Sequence, residues 1–144
     1  MSPVGDASKI DLSQLDLSGV NLRHANLSKA NLSNVNLVYA DLQFANLQGA
    51  NLTGADLRGV KLNNADLTYA NLLNANLAHA KLSYTHLANA NLTNAKLANA
   101  ELSYARLTNA NFTNAILAHA NLRFTNLCGA NLSNTNLVQA ILSN

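Results

Sequence analysis

Leucine stands at every fifth position from Leu12 to Leu142, and among those 27 positions only Phe112 departs from it. A five-residue period fits neither regular element. On an α-helix five residues advance about 140° beyond a full turn, which would spread the leucines around the whole circumference. In a straight strand an odd period would put successive leucines on opposite faces. One dry interior therefore requires the chain to turn a corner once per five residues, so that each leucine points to a common axis. The pattern predicts a solenoid.

The positions around each leucine refine that picture. Two residues earlier stands a small or apolar residue: 19 of the 27 are Ala, three are Val, three are Thr (Thr85, Thr125, Thr135), and the first two are Ile10 and Leu15. Residues two apart in extended chain share a face, so this residue and the leucine both point inward, a large side chain beside a small one. The residue just before each leucine is Asn at 14 positions and Asp at five, short polar groups that hydrogen-bond neighbouring backbone and belong on the outer wall. Two residues after each leucine, Gly or Asn fills 15 of the 27 positions. A type II turn needs positive φ at its third residue, which Gly accepts freely and Asn tolerates, so the corner chemistry recurs with the period.

These tandem Ala-(Asn/Asp)-Leu-X-X units, running without interruption over residues 10 to 144, closely resemble the pentapeptide-repeat family in its cyanobacterial form. The resemblance implies an all-β fold, a right-handed quadrilateral β-helix with four pentapeptides per coil. The chain carries its own sign of a coil of four units. In that register one face reads Asn31-Leu32-Ser33-Asn34, Asn51-Leu52-Thr53-Gly54, Asn71-Leu72-Leu73-Asn74, Asn91-Leu92-Thr93-Asn94, Asn111-Phe112-Thr113-Asn114 and Asn131-Leu132-Ser133-Asn134, and no other face is so uniform. The aromatics do not choose between registers, because a four-unit coil stacks Phe44, Tyr84, Tyr104 and Phe124 whereas a three-unit coil stacks Tyr39, Tyr69 and Tyr84. With 27 units at four to a coil, about 6.75 coils stacked about 4.8 Å apart give a rod roughly 32 Å long. Residues 1–9, which include Pro3 and Gly5, are expected to form an irregular N-terminal segment or cap, and residues 10–144 the solenoid.

Composition narrows the function. Aromatic residues are 5% and charged residues 11% of the chain, so Asn, Ser and Thr must do the solvating. Polar residues interrupt every unit and no apolar run reaches membrane-spanning length, so no membrane partner is expected. Residues 1–9 lack the apolar core of a signal peptide, and the expected location is the cytoplasm. The net charge is +2, laid out as −1 over residues 1–72 and +3 over residues 73–144. Lys81, Lys96, Arg106 and Arg123 fall on three predicted faces and make no dense stripe, so no nucleic-acid partner is expected. Cys128 is the single cysteine, predicted to face outward with Thr108 as its stacked neighbour, which gives it no activating base. The Asn-X-Ser/Thr sequons, such as Asn26 and Asn91, follow from the repeat itself.

A catalytic site needs titratable groups converging on a concavity, and a tube filled by its own Leu and Ala offers none, so no enzyme, metal site or cofactor is expected. His24, His79, His86 and His119 are all predicted on the surface. His79 and His119 share a face but stand two coils apart, about 9.6 Å, too far for one metal ion. The best-defined surface feature is a column along one edge: His24, Phe44, Asn64, Tyr84, Tyr104, Phe124 and Asn144. Tyr84, Tyr104, Phe124 and Arg123 form a candidate partner surface, since Tyr and Arg dominate interface hot spots. Stacked rings also stabilise successive coils, which explains the column without a partner.

Asp41 with Lys61, and Lys81 with Glu101, are expected to form exposed ladder pairs. The column Ser33, Thr53, Thr93, Thr113 and Ser133 is reminiscent of the hydroxyl arrays of ice-binding β-solenoids, but Leu73 interrupts it and asparagines flank it.

The sequence thus points to a non-enzymatic structural or protein-interaction rod. The resemblance supplies an alternative, since some pentapeptide-repeat proteins mimic double-stranded DNA and bind DNA gyrase. That mimicry demands a strongly acidic surface, and this chain is not acidic. The open C-terminal coil is expected to associate end-on with a second copy.

Overall fold

A computed structural model describes residues 10–143. The expected N-terminal cap at 1–9 and the last member of the aromatic column, Asn144, lie outside the described residues. From Asp11 onward every fifth residue pairs in parallel with its counterpart four units ahead, beginning with Asp11 and Asn31 and ending with Asn121 and Ile141. One coil therefore holds four pentapeptides and has four sides. The three-unit register is excluded.

One pattern of backbone hydrogen bonds repeats throughout. From Leu12 to Leu122 the N–H of each central residue donates to the carbonyl just before the one stacked one coil on, as Leu72 does to Asn91 at 2.7 Å. The N–H just before it donates backward, as Asn71 does to Ala50 at 2.9 Å. The pairing is confined to isolated bridges and no longer strand forms among the described residues. Five residues per side explain this, because two of them make the corner.

Each corner closes with a turn in which the small residue donates to the leucine carbonyl three positions earlier, as Ala75 does to Leu72 at 3.0 Å. The third turn residue has positive φ at every corner from Gln14 to Gln139, between 55° and 70°. The backbone imposes this conformation even on Tyr, Phe, His, Lys and Gln, where it costs an L side chain roughly 1–2 kcal/mol. The asparagines before the leucines hold the chain in place on the way in. Their side-chain oxygen accepts the N–H two residues on, as Asn46 accepts from Gln48 at 3.0 Å and Asn126 from Cys128 at 3.0 Å. This Asx clamp fixes the backbone as it enters the corner.

Leu and Ala fill the tube. From Leu27 to Leu122 the inward side chains are buried, including Phe112. Interior threonines satisfy their hydroxyls on backbone carbonyls: Thr85 donates to Leu82 at 2.5 Å, Thr125 to Leu122 at 2.8 Å and Thr135 to Phe112 at 2.9 Å. Toward both ends the tube opens. Leu12, Leu17, Leu127, Leu132 and Leu137 are only partly buried, and Ile141 and Leu142 are each 48% exposed. Among the described residues no helix is long and apolar enough to cross a membrane.

Candidate functional site

The fold brings the corner residues of successive coils into register, and this builds the candidate surface. Tyr84 and Tyr104 stack with ring centroids 4.8 Å apart and an interplanar angle of 1°. Tyr104 and Phe124 continue the stack at 4.9 Å and 15°. Nearer the N-terminal end His24 and Phe44 stack at 5.0 Å. Asn64 separates the two groups. The spacing is that of the coils, so the β-helix itself sets the ring separation within the favourable range for aromatic pairs.

Two arginines complete the edge. The Arg123 guanidinium lies 5.5 Å from the Phe124 ring centre, and Arg23 lies at the same distance from Phe44, both in cation–π range. Their surroundings differ. Arg23 donates to Gln43 at 2.6 Å and pairs with Asp41 at 3.5 Å, whereas no carboxylate pairs with Arg123 among the described residues. All four candidate residues thus share one edge over three consecutive coils.

The expected ladder pairs do not form. Asp41 and Lys61, and Lys81 and Glu101, are backbone bridge partners, yet neither couple makes an ion pair among the described residues. The side chain of Asp41 is drawn elsewhere: it clamps the Gln43 N–H at 3.1 Å and meets Arg23. The other ion pair lies within one side, where Arg58 grips Asp56 with its closest contact at 2.7 Å. The Arg58 hydrogen bond holds the Asp56 carboxyl below the usual carboxylate range.

The remaining candidates resolve simply. Tyr39 has no ring partner among the described residues; its ring lies over Gly59 one coil on, close enough that a Cβ there would meet Tyr39 Cδ1 at 2.5 Å. The hydroxyl column turns its donors to its own asparagines: Ser33 to Asn31 at 2.8 Å, Thr53 to Asn51 at 2.7 Å, Thr93 to Asn91 at 2.7 Å and Thr113 to Asn111 at 2.6 Å. Hydroxyls committed in this way are not a free array facing solvent. Cys128 is exposed. No group of three or more His, Cys, Asp or Glu side chains among the described residues could hold a metal ion.

Arg106 escaped the face-by-face reading of the sequence. It belongs to the next side, yet only one inward residue, Ala105, separates it from Tyr104 at the corner. The signal was available in the single residue between Tyr104 and Arg106.

Pentapeptide repeats match the chain in eight copies over residues 16–54, 45–83, 70–109 and 105–144. Solved structures give similar chains. HetL of the cyanobacterium Nostoc sp. strain PCC 7120, a pentapeptide repeat protein involved in heterocyst differentiation regulation, is 27% identical over 93% of this chain and 88% of its own, with a TM-score of 0.38. A pentapeptide repeat protein of the Arabidopsis thaliana thylakoid lumen is 34% identical over 68% of this chain and 72% of its own, with a TM-score of 0.37. A trypsin-treated form of QnrB1, a plasmid-mediated fluoroquinolone resistance protein, is 16% identical over 88% of this chain and 90% of its own, with a TM-score of 0.47. No curated protein matches. The family's fold is the right-handed quadrilateral β-helix. With its repeats matched along nearly the whole sequence, the chain belongs to the pentapeptide repeat family.

Proposed function

We propose that this chain is a non-enzymatic rod of about 6.75 coils that presents the Tyr84, Tyr104, Phe124 and Arg123 edge to a protein partner. The observation that carries the reading is the flush stack of three half-exposed rings capped by a guanidinium, held on a backbone hydrogen-bonded to neighbouring coils. Such a surface is ordered before a partner arrives, so little side-chain entropy remains to be lost on docking. The interior is occupied by Leu and Ala, which leaves a partner only the outer walls.

Gyrase mimicry is the alternative. The fluoroquinolone resistance named for QnrB1 belongs to that protein, and the net charge of +2 here opposes an acidic DNA-like surface. Binding to purified gyrase at low salt would revive it.

The test is a pull-down comparing the native chain with Tyr84→Ala/Tyr104→Ala. Loss of a retained partner with the fold intact supports the anchor. A drop in thermal stability alone, with capture unchanged, returns the rings to a purely structural role.

A further inference from the structure

The two ring groups along the corner differ in how their charges are balanced. At Phe44 the adjacent arginine is neutralised, because Arg23 is held by Asp41 and Gln43. Arg58, the other arginine of the N-terminal half, is gripped by Asp56. Around Tyr84, Tyr104 and Phe124 the picture reverses. Lys81, Arg106 and Arg123 are exposed and none makes an ion pair among the described residues. Glu101 is the one acidic residue after position 72, and it forms no ion pair with Lys81, its bridge partner one coil back. Three cations against one carboxylate therefore lie on the coils that carry the three stacked rings, with Arg123 directly against Phe124.

From this we infer that the corner of residues 81–86, 101–106 and 121–126 docks an acidic amphipathic helix of a partner protein, laid along the rod axis. The inference rests on the interaction-module reading and supplies the partner's chemistry. Stacking turns the ring edges outward, and aromatic edges carry partial positive charge. The Tyr84 and Tyr104 hydroxyls make no hydrogen bond among the described residues and can donate to carboxylates, as can the two guanidinium groups and the Lys81 ammonium. Between these donors the ring edges offer apolar contact. The matching surface is a stripe of apolar side chains bordered by Asp and Glu.

Spacing selects the helix. The rings repeat every 4.8 to 4.9 Å. A helix returns to the same face after three or four residues, about 4.5–6 Å along its axis. A strand repeats a face about every 6.7 Å and would drift out of step within two coils. Single-stranded nucleic acid, the other polyanion, fits less well. A base inserted between two rings needs about twice the 3.4 Å stacking distance, and the rings are closed on one another.

The probe is a labelled synthetic helix of about 18 residues, with leucines on one stripe and glutamates beside it, titrated against the full chain by fluorescence anisotropy. The controls are the same peptide with Lys replacing Glu, and oligothymidine. The acidic peptide is expected to bind, more weakly as salt rises, and Arg106→Glu/Arg123→Glu to weaken it about tenfold or more. Tyr104→Ser should weaken it several-fold, and Lys96→Glu, on another side, should change it less than about twofold. Circular dichroism confirms that each variant stays folded. No binding of the acidic peptide, equal binding of the basic one, or equal loss in Lys96→Glu overturns the inference. Tighter binding of oligothymidine, lost in the same arginine variants, overturns it in favour of nucleic acid. If a pulled-down partner is lost with Tyr84→Ala/Tyr104→Ala but kept with Arg106→Glu/Arg123→Glu, the interaction module stands and the acidic helix falls.

Discussion

Replacing Tyr104 by Asn separates what ring stacking contributes from what the corner backbone demands. Tyr104 sits at φ 61° and stacks on both sides, on Tyr84 at 4.8 Å and on Phe124 at 4.9 Å. Each stack is worth about 0.5–1.5 kcal/mol beyond area burial, so the substitution removes about 1–3 kcal/mol. Asn already occupies this corner position at Asn74, Asn94 and Asn114, with φ of 58° to 59°, and tolerates it better than Tyr. A few tenths of a kcal/mol return, leaving a net loss of about 0.7–2.7 kcal/mol. For a chain of this size that lowers the thermal midpoint by about 2–8 °C, read by circular dichroism. Tyr84→Asn, which loses one stack because Asn64 lies on its other side, should show roughly half the shift. Tyr39→Asn is the control: Tyr39 has the same backbone at φ 57°, no stacked ring and 73% exposure, and should move by less than about 0.5 kcal/mol. Equal shifts in Tyr104→Asn and Tyr39→Asn would refute the reasoning, since stacking would then contribute nothing.

Other substitutions probe the wall, the tube and the charges. Gly19→Ala and Gly59→Ala both force a methyl onto positive φ, but only at Gly59 does the new Cβ meet a ring, that of Tyr39. Gly59→Ala should destabilise more than Gly19→Ala, and adding Tyr39→Ala should erase the difference in a double-mutant cycle read by urea unfolding. Leu72→Ala, in the fully buried stretch, should lose about 2–5 kcal/mol, and Leu142→Ala, at the open end, much less; equal losses would contradict a tube that is dry only in its middle. Arg58 depresses the Asp56 carboxyl, so this contribution to stability is present above the unfolded-state pKa near about 4 and is lost as pH falls through the lower folded value. The gap in thermal midpoint between the native chain and Asp56→Asn should hold above about pH 5 and shrink below about pH 4.

The sequence determined the architecture because its information is periodic. Leucine every fifth residue, with Ala two before it, can bury both only if the chain bends at each unit, and the Asn face recurring once every four units fixed the number of sides. The column of Tyr84, Tyr104 and Phe124 followed from that register alone. What the period could not decide was where long, exposed side chains reach, since their partners depend on distances in space. Asp41 was expected to face Lys61 but turns to Arg23, because the Asx clamp fixes its carboxylate toward its own coil's corner. Arg106 does lie on another side, bridged to His86 and Asn126, and only Ala105 separates it along the chain from Tyr104 at the corner. The same holds for the hydroxyl column, whose regular spacing is visible in the sequence while its engagement with Asn31, Asn51, Asn91 and Asn111 is not. Backbone repetition is dictated by burial, which is local and additive along the chain. Side-chain pairing across corners is set by three-dimensional proximity, and only the folded coil supplies it.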